Sequence, residues 1–113
     1  MHELTVTQSI LDIALEHAAK ANASRIGRIN LVIGDSAGIV EECVSFYFEL
    51  LSAETIASGA LLSFDRVPLR ARCSECGATF PLDELEWSCP RCRGGALEIV
   101  AGRELYVDSI EVE

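Results

Sequence analysis

The sequence predicts an α+β fold: two helices packed on a three-stranded sheet, with a four-cysteine zinc-ribbon lobe inserted before the last strand. Three observations predict it. Apolar residues recur at helical spacing in two segments, near 5–21 and 40–57. Three shorter segments, near 29–33, 62–65 and 105–112, alternate apolar with polar residues. Between the last two of these lie two C-x2-C pairs with twelve residues between them. Two helices on one face of a three-stranded sheet would bury both apolar stripes. The expected division is an α/β domain over residues 1–69 plus 99–113 and a metal lobe over 70–98.

The first helix carries Val6, Ile10, Ile13, Ala14 and His17 on its apolar side. Thr5 with Gln8 has the form of a capping box, and Gln8, Asp12, Glu16 and Lys20 form a polar row at i, i+4 spacing. Ala21 to Ser24 reads as a stop. In the first strand Ile29, Leu31 and Ile33 alternate with Arg28, Asn30 and Val32, and the stretch from Gly34 to Gly38 ends it with strong turn chemistry. The second helix is expected from Val40 to about Ala57, on a stripe of Val40, Val44, Tyr47 and Leu51 widened by Cys43, Phe48 and Leu50. Ser58-Gly59 supplies its stop. Leu62 and Phe64 mark the second strand. Leu105, Val107, Ile110 and Val112 mark the third, whose apolar phase slips near Asp108-Ser109 and predicts a bulge or bend.

At 113 residues, half of them hydrophobic, the chain can build one modest core but not the thick walls of a deep enzyme cleft. No apolar run is long enough to span a bilayer, and no cationic segment leading into an apolar run follows Met1, so the start reads as a mature cytoplasmic N-terminus. Five cysteines in such a chain suit metal binding better than disulfides. The net charge of −9 opposes general nucleic-acid binding and fits a partner with a basic face. Its distribution is uneven: residues 1–65 hold three bases and nine acids, 66–103 six arginines and five acids, 104–113 four acids and no base.

Cys73-Ser-Glu-Cys76-Gly77 and Cys89-Pro-Arg-Cys92 are the most specific signal that residue types and spacing provide. Each C-x2-C turn aims two thiolates at one ion, and the loop between them brings the second pair round to close a tetrahedron. Gly77 suits the positive φ needed after a knuckle, and Gly94 and Gly95 would help the chain turn away after the second. Four thiolates leave no open coordination position, so the role is structural, and metal binding would supply the folding energy of so small a lobe. Zinc is the first reading. Iron, as in a rubredoxin-like electron carrier, is the competing one, and it leaves the helices and sheet without a role. Arginines 66, 70, 72, 91, 93 and 103 flank the knuckles and Phe80 and Trp87 lie between them, which raises nucleic acid. Asp83, Glu84 and Glu86 in the same loop oppose the positive field that backbone binding requires, and the two aromatics are equally explained as cover for the metal.

At the N-terminus, the Met1 amine and the His2 amide nitrogen would close a five-membered chelate ring on a metal. That amide and His2 Nδ1 would close a six-membered one. Three nitrogens then lie in a plane whose fourth corner is open to a carboxylate such as Glu3, a set suited to Ni(II) or Cu(II). The amide must lose its proton, so affinity would fall with pH. A Met-His start is also commonplace and, by these residues alone, often means nothing.

Met1-His2-Glu3-Leu4, Ile29 to Gly34, Val40-Glu41-Glu42 leading to Phe46, Phe48 and Glu49, the paired knuckles, and the closing Ser109 to Glu113 together resemble the HypA/HybF family of hydrogenase nickel-insertion proteins. The resemblance runs the whole chain in order. It implies a nickel metallochaperone rather than an enzyme, binding Ni(II) as cargo through His2 and Glu3 with the Met1 amine. It also implies a structural Zn(II) held by Cys73, Cys76, Cys89 and Cys92. The implied partners are a HypB-type nickel GTPase, the [NiFe]-hydrogenase large subunit and, for some members, urease accessory proteins, with neither nucleic acid nor membrane. Some members place an aspartate at the position of Val40 to assist at nickel, and this chain has no acid there. The alternative is a zinc-ribbon adaptor that binds protein partners and has no nickel site.

The remaining candidates have plainer readings. Cys43 reads as a small buried apolar residue, and His17 as a packed or partly exposed histidine with no second ligand at i+3 or i+4. Glu41 and Glu42 complement the dipole of the second helix. No P-loop, nucleophile elbow or deaminase signature is present.

Overall fold

The computed structural model describes residues 3–83 and 85–113. The elements are α1 (Glu3–Lys20), β1 (Ile26–Gly34), α2 (Glu41–Ser52), β2 (Leu61–Val67), β3 (Arg70–Cys73), β4 (Thr79–Pro81), β5 (Leu97–Ala101) and β6 (Leu105–Val112). They form two helices and two three-stranded sheets, ordered β2-β1-β6 and β4-β3-β5. The α+β class and the inserted cysteine lobe stand. The chain divides into two compact units, one holding the residues up to Val32, Gly38–Asp65 and Leu105–Glu113, the other Ile33–Ala37 and Arg66–Glu104. Among the described residues no helix is long and apolar enough to cross a membrane.

In the first unit α1 packs on α2 and on β6. Thr5 does not cap α1, because the helix already begins at Glu3. Instead the Thr7 hydroxyl donates to Glu3 O at 2.6 Å, and the Gln8 amide donates to Asp12 at 2.9 Å. The polar row is present, closed by a Lys20–Glu16 pair at 3.2 Å. The buried face comprises Thr7, Ile10, Leu11, Ala14 and Ala18, rotated from the expected stripe so that Ile13 and His17 are exposed. Small residues at 14 and 18 allow close approach, which the longer Ile13 and His17 would prevent.

α2 stops at Ser52, short of Ala57. The Ser52 carbonyl is taken by both the backbone N–H of Thr55 at 2.9 Å and its hydroxyl at 2.8 Å, and a run of turns then leads to Gly59. The helix buries a narrow i, i+4, i+8 stripe of Val44, Phe48 and Ser52. Cys43, expected to be buried, is exposed, because it lies about 100° round the helix from Val44. Leu50 is exposed for the same reason. β1 is the central strand, with Ile26, Ile29 and Leu31 fully buried. β6 runs unbroken, and its burial alternation slips at Asp108-Ser109 as the apolar phase does.

The second unit is organised by β3, antiparallel to β4 (Ala71 opposite Phe80) and to β5 (Ala71 opposite Ile99). This sheet was not expected. Its strands are three to five residues long, too short for alternation to stand out from the surrounding turns.

Candidate metal centre

β3 delivers Cys73 at its last residue, and the chain then turns at once through Cys76. The Gly77 N–H donates to Cys73 O at 2.8 Å, and Gly77 takes φ +76° as its position predicts. The second knuckle repeats the first: the Arg93 N–H donates to Cys89 O at 2.8 Å. The left-handed residue there is Arg93 itself, at φ +61°, rather than Gly94 or Gly95. The signal was available in the register, since Gly77 and Arg93 each follow the second cysteine of a pair. Gly94 serves close approach instead: a Cβ there would lie 3.3 Å from Cys92 Sγ and 2.5 Å from Glu75 Oε2.

These turns bring the sulfurs of Cys73, Cys76, Cys89 and Cys92 within 4.8 Å of one another. The Cys73–Cys92 separation is 3.5 Å and the Cys76–Cys89 separation 3.6 Å. A tetrahedron with metal–sulfur bonds of about 2.3 Å has edges of about 3.8 Å, so the cluster fits one ion with little adjustment. A disulfide needs about 2.05 Å, and all four thiols are free. Cys73 and Cys89 are fully buried in a small core with Ala71, Phe80 and Leu82. Phe80 therefore covers the site, whereas Trp87 stays exposed and donates its indole N–H to Gly95 O at 3.2 Å.

Crowding four thiols sets their protonation apart. The Cys92 backbone N–H, 3.4 Å from Cys89 Sγ, is the main cause of the Cys89 thiol's fall from 9.0 to about 6. Burial opposes that fall, and the Arg91 N–H and the sulfurs of Cys76 and Cys92 assist it. For Cys92 the Gly94 N–H pulls downward, but the Cys73 sulfur, burial and the other two sulfurs outweigh it and push the thiol up to about 12. One thiolate forms readily and its neighbour is denied a second charge, a conflict that a divalent ion at the centre removes.

Of the flanking arginines, Arg72 pairs with Glu98 at 2.6 Å and Arg66 with Asp35 at 3.1 Å. At the other end of the chain, Met1 and His2 lie outside the described residues. Glu3 opens α1, and its Oε2 accepts the Val40 N–H at 3.3 Å. Val40 is the N-cap of α2, with cap-like φ −95° and ψ 113° and no side-chain acceptor of its own. Nothing in local sequence links residues 3 and 40, so this contact was not foreseen. His17 and Cys43 are exposed on their helices and join no metal-ligand cluster among the described residues.

The profile of a family described as "Hydrogenase/urease nickel incorporation, metallochaperone, hypA" matches residues 1–112. A hydrogenase maturation factor HypA from Dehalococcoides mccartyi is 47% identical over 113 residues, covering 100% of this chain and 95% of its own length. Another, from Caldanaerobacter subterraneus subsp. tengcongensis, is 41% identical with complete coverage of both. The solution structure of the Ni metallochaperone HypA from Helicobacter pylori aligns over 99% of this chain and 97% of its own, with TM-score 0.69 and 25% identity. A second HypA solution structure aligns with TM-score 0.77 and 26% identity, covering 100% of this chain and 97% of its own. With the four-cysteine centre in place and the profile matched from end to end, the chain belongs to the HypA family of nickel-incorporation metallochaperones, a family of maturation factors and not of enzymes.

Proposed function

We propose that this chain carries Ni(II) at its N-terminus, on the Met1 amine, His2 and Glu3, and delivers it in the cytoplasm to the [NiFe]-hydrogenase large subunit. A HypB-type GTPase is the proposed partner in that transfer, and urease accessory proteins are a second client. The labour is divided between the two compact units, the first handling nickel and the second held folded by zinc on Cys73, Cys76, Cys89 and Cys92. Family membership over the whole chain is the observation that carries this reading.

Two features of the chain support it. The four-sulfur set closes around its ion, so that metal is structural, and exchangeable cargo must bind elsewhere. Zinc matches a lobe whose only demand is a tetrahedral clamp; a colourless loaded protein supports it and a red one indicates iron. Glu3, held at the start of α2, keeps one carboxylate oxygen uncommitted to Val40. A planar nitrogen set completed by that carboxylate binds Ni(II) through a deprotonated amide, so acid releases the cargo.

Calorimetric titration of nickel into tagless, zinc-loaded protein, beside His2→Ala, tests this. One nickel per chain, lost in His2→Ala, is the expected result. Equal binding by both proteins, or by neither, would replace the carrier with a zinc-ribbon adaptor that uses only protein contacts. The second reading has its own footing, since the position that carries an acid in some relatives is Val40 here.

A further inference from the structure

The outer face of α2 is built against the usual rule for a solvated helix. Residues 38–65 hold five acids (Glu41, Glu42, Glu49, Glu54 and Asp65) and no lysine, arginine or histidine. Among the described residues, no cation is recorded against Glu42, Glu49 or Glu54. Large apolar side chains stand between these acids in full view of solvent. Phe46 is 59% exposed, Leu50 62% and, on the neighbouring strand β2, Leu61 60%. The Phe46 ring meets Tyr47 edge-on at 5.6 Å, which fixes its presentation.

Beside this ridge lie two hollows. One, of about 500 Å³, is lined by Glu41, Glu42, Ser45, Phe46, Glu49 and Phe64. The other, of about 620 Å³, shares Ser45 and Glu49 with it and continues past Leu61 and Leu62. Together they make one trough with an apolar floor and an acidic rim, running beside α2. A helix of twelve residues is about 18 Å long, room for three turns of a second helix. Phe46 edges the first hollow and Leu61 the second, and these two are the apolar anchors that such a helix would cover.

We propose that the α2–β2 trough is a docking site for an amphipathic helix of a partner protein, one whose apolar face is flanked by lysine or arginine. Charge selects this occupant. A rim of carboxylates to which residues 38–65 contribute no base repels a second copy of this acidic chain, and it steers and orients a basic ligand. The apolar lining requires more than charge, because a polybasic strand without apolar anchors would leave Phe46, Phe64 and Leu61 wet. This surface stands independently of the nickel site.

The test uses the full zinc-loaded chain and a fluorescein-labelled, 15-residue leucine/lysine helix as probe. Two control peptides keep the lysines but replace leucine with serine, or keep the leucines but replace lysine with glutamate. The leucine/lysine probe is expected to bind and to shift backbone amide resonances clustered at 41–53 and 61–65. Phe46→Ser, and separately Glu42→Gln with Glu49→Gln, should each weaken it at least tenfold while leaving zinc content unchanged. Rising salt should weaken binding to the parent chain more than to the glutamine variant. Equal binding of the serine control would reduce the site to bulk charge and overturn the proposal. Shifts centred outside 41–65, or variants as tight as the parent, would overturn it too. So would concentration-dependent dimerisation abolished by Phe46→Ser, which would assign the trough to a second copy.

Discussion

Two glycines divide the residue-scale constraints on the lobe. Gly77 holds φ +76° with open space where a Cβ would stand. Gly77→Ala therefore costs only backbone strain, about 1–2 kcal/mol, read as roughly a five- to thirtyfold loss in competition against a chelator. Arg93 occupies the equivalent place at φ +61°, and Arg93→Gly is expected to gain less than about 1 kcal/mol, since glycine also loosens the unfolded chain. Gly34 is limited by contact instead, for a Cβ there would lie 2.1 Å from the Gly102 carbonyl carbon. Both partners are backbone and cannot swing aside, so Gly34→Ala should cost about 3 kcal/mol or more, seen as loss of soluble, metal-loaded protein.

The two displaced thiols also predict a pH dependence. In the metal-free chain the lowered Cys89 value stabilises the folded lobe fully above pH 9, and that contribution disappears as pH falls to about 6. The raised Cys92 value acts in the opposite direction: its contribution is whole below pH 9 and is lost as pH climbs toward about 12. Zinc uptake at pH 7.5 therefore reports the state of the metal-free lobe: a folded lobe, with Cys89 already ionised, releases fewer than four protons, and the melted lobe expected on chelation releases about four. Calorimetry in buffers of different ionisation enthalpy counts them. Fewer than four would mean that the lobe keeps its fold without metal, with the Cys92 N–H holding Cys89 as a thiolate.

Among elements, α2 has the least self-sufficient start. Its N-cap, Val40, offers no acceptor, and its N3 residue is Cys43, where a capping box would have glutamate or glutamine. Glu3 supplies the missing carboxylate from α1 by taking the Val40 N–H. Glu3→Ala should therefore destabilise the first unit by about 0.5–1 kcal/mol, and Val40→Asn, which brings its own cap, should stabilise it by about 1 kcal/mol. Urea unfolding of both variants measures this, and an unchanged midpoint in Val40→Asn would mean that the cap is already satisfied. The same element shows where sequence reading stops. The recurrence of Val40, Val44, Tyr47 and Leu51 revealed a helix, but which residues it buries depends on what packs against it, and the buried stripe is Val44, Phe48 and Ser52. Cys43 and Leu50 were thus assigned to a core that does not reach them. The end of α2 was missed because Thr55 draws on the Ser52 carbonyl twice, a local competition that helical periodicity does not report. The four-cysteine cluster was legible because its geometry is local, two turns of four residues each. The Glu3–Val40 contact was not, because it joins positions that only the fold brings together.

At the scale of the whole molecule, the two units draw their stability from different sources. The first has an extended core, with Ile10, Leu11, Ala14, Ile26, Ile29, Leu31, Val44 and Phe48 all buried. In the second, the core cluster of the cysteine lobe has five buried residues among those described, and two of them are Cys73 and Cys89. Three strands of three to five residues cannot offset the ordering of a lobe that size without an additional tie. Removing the ion leaves four crowded sulfurs, one of them holding its proton up to about 12, where four metal bonds had been. Chelation is thus expected to release residues 70–101 while the first unit stays folded. Amide exchange should show this as protection lost in β3 and β5, by a hundredfold or more, and retained in α1 and the centre of β1. Helical circular dichroism should change little, because both helices lie in the first unit. Cooperative loss of both units on chelation would instead make the metal the keystone of the entire chain. Nickel binding at the proposed N-terminal site would then require zinc, whereas independent units predict that nickel still binds there after the lobe has melted.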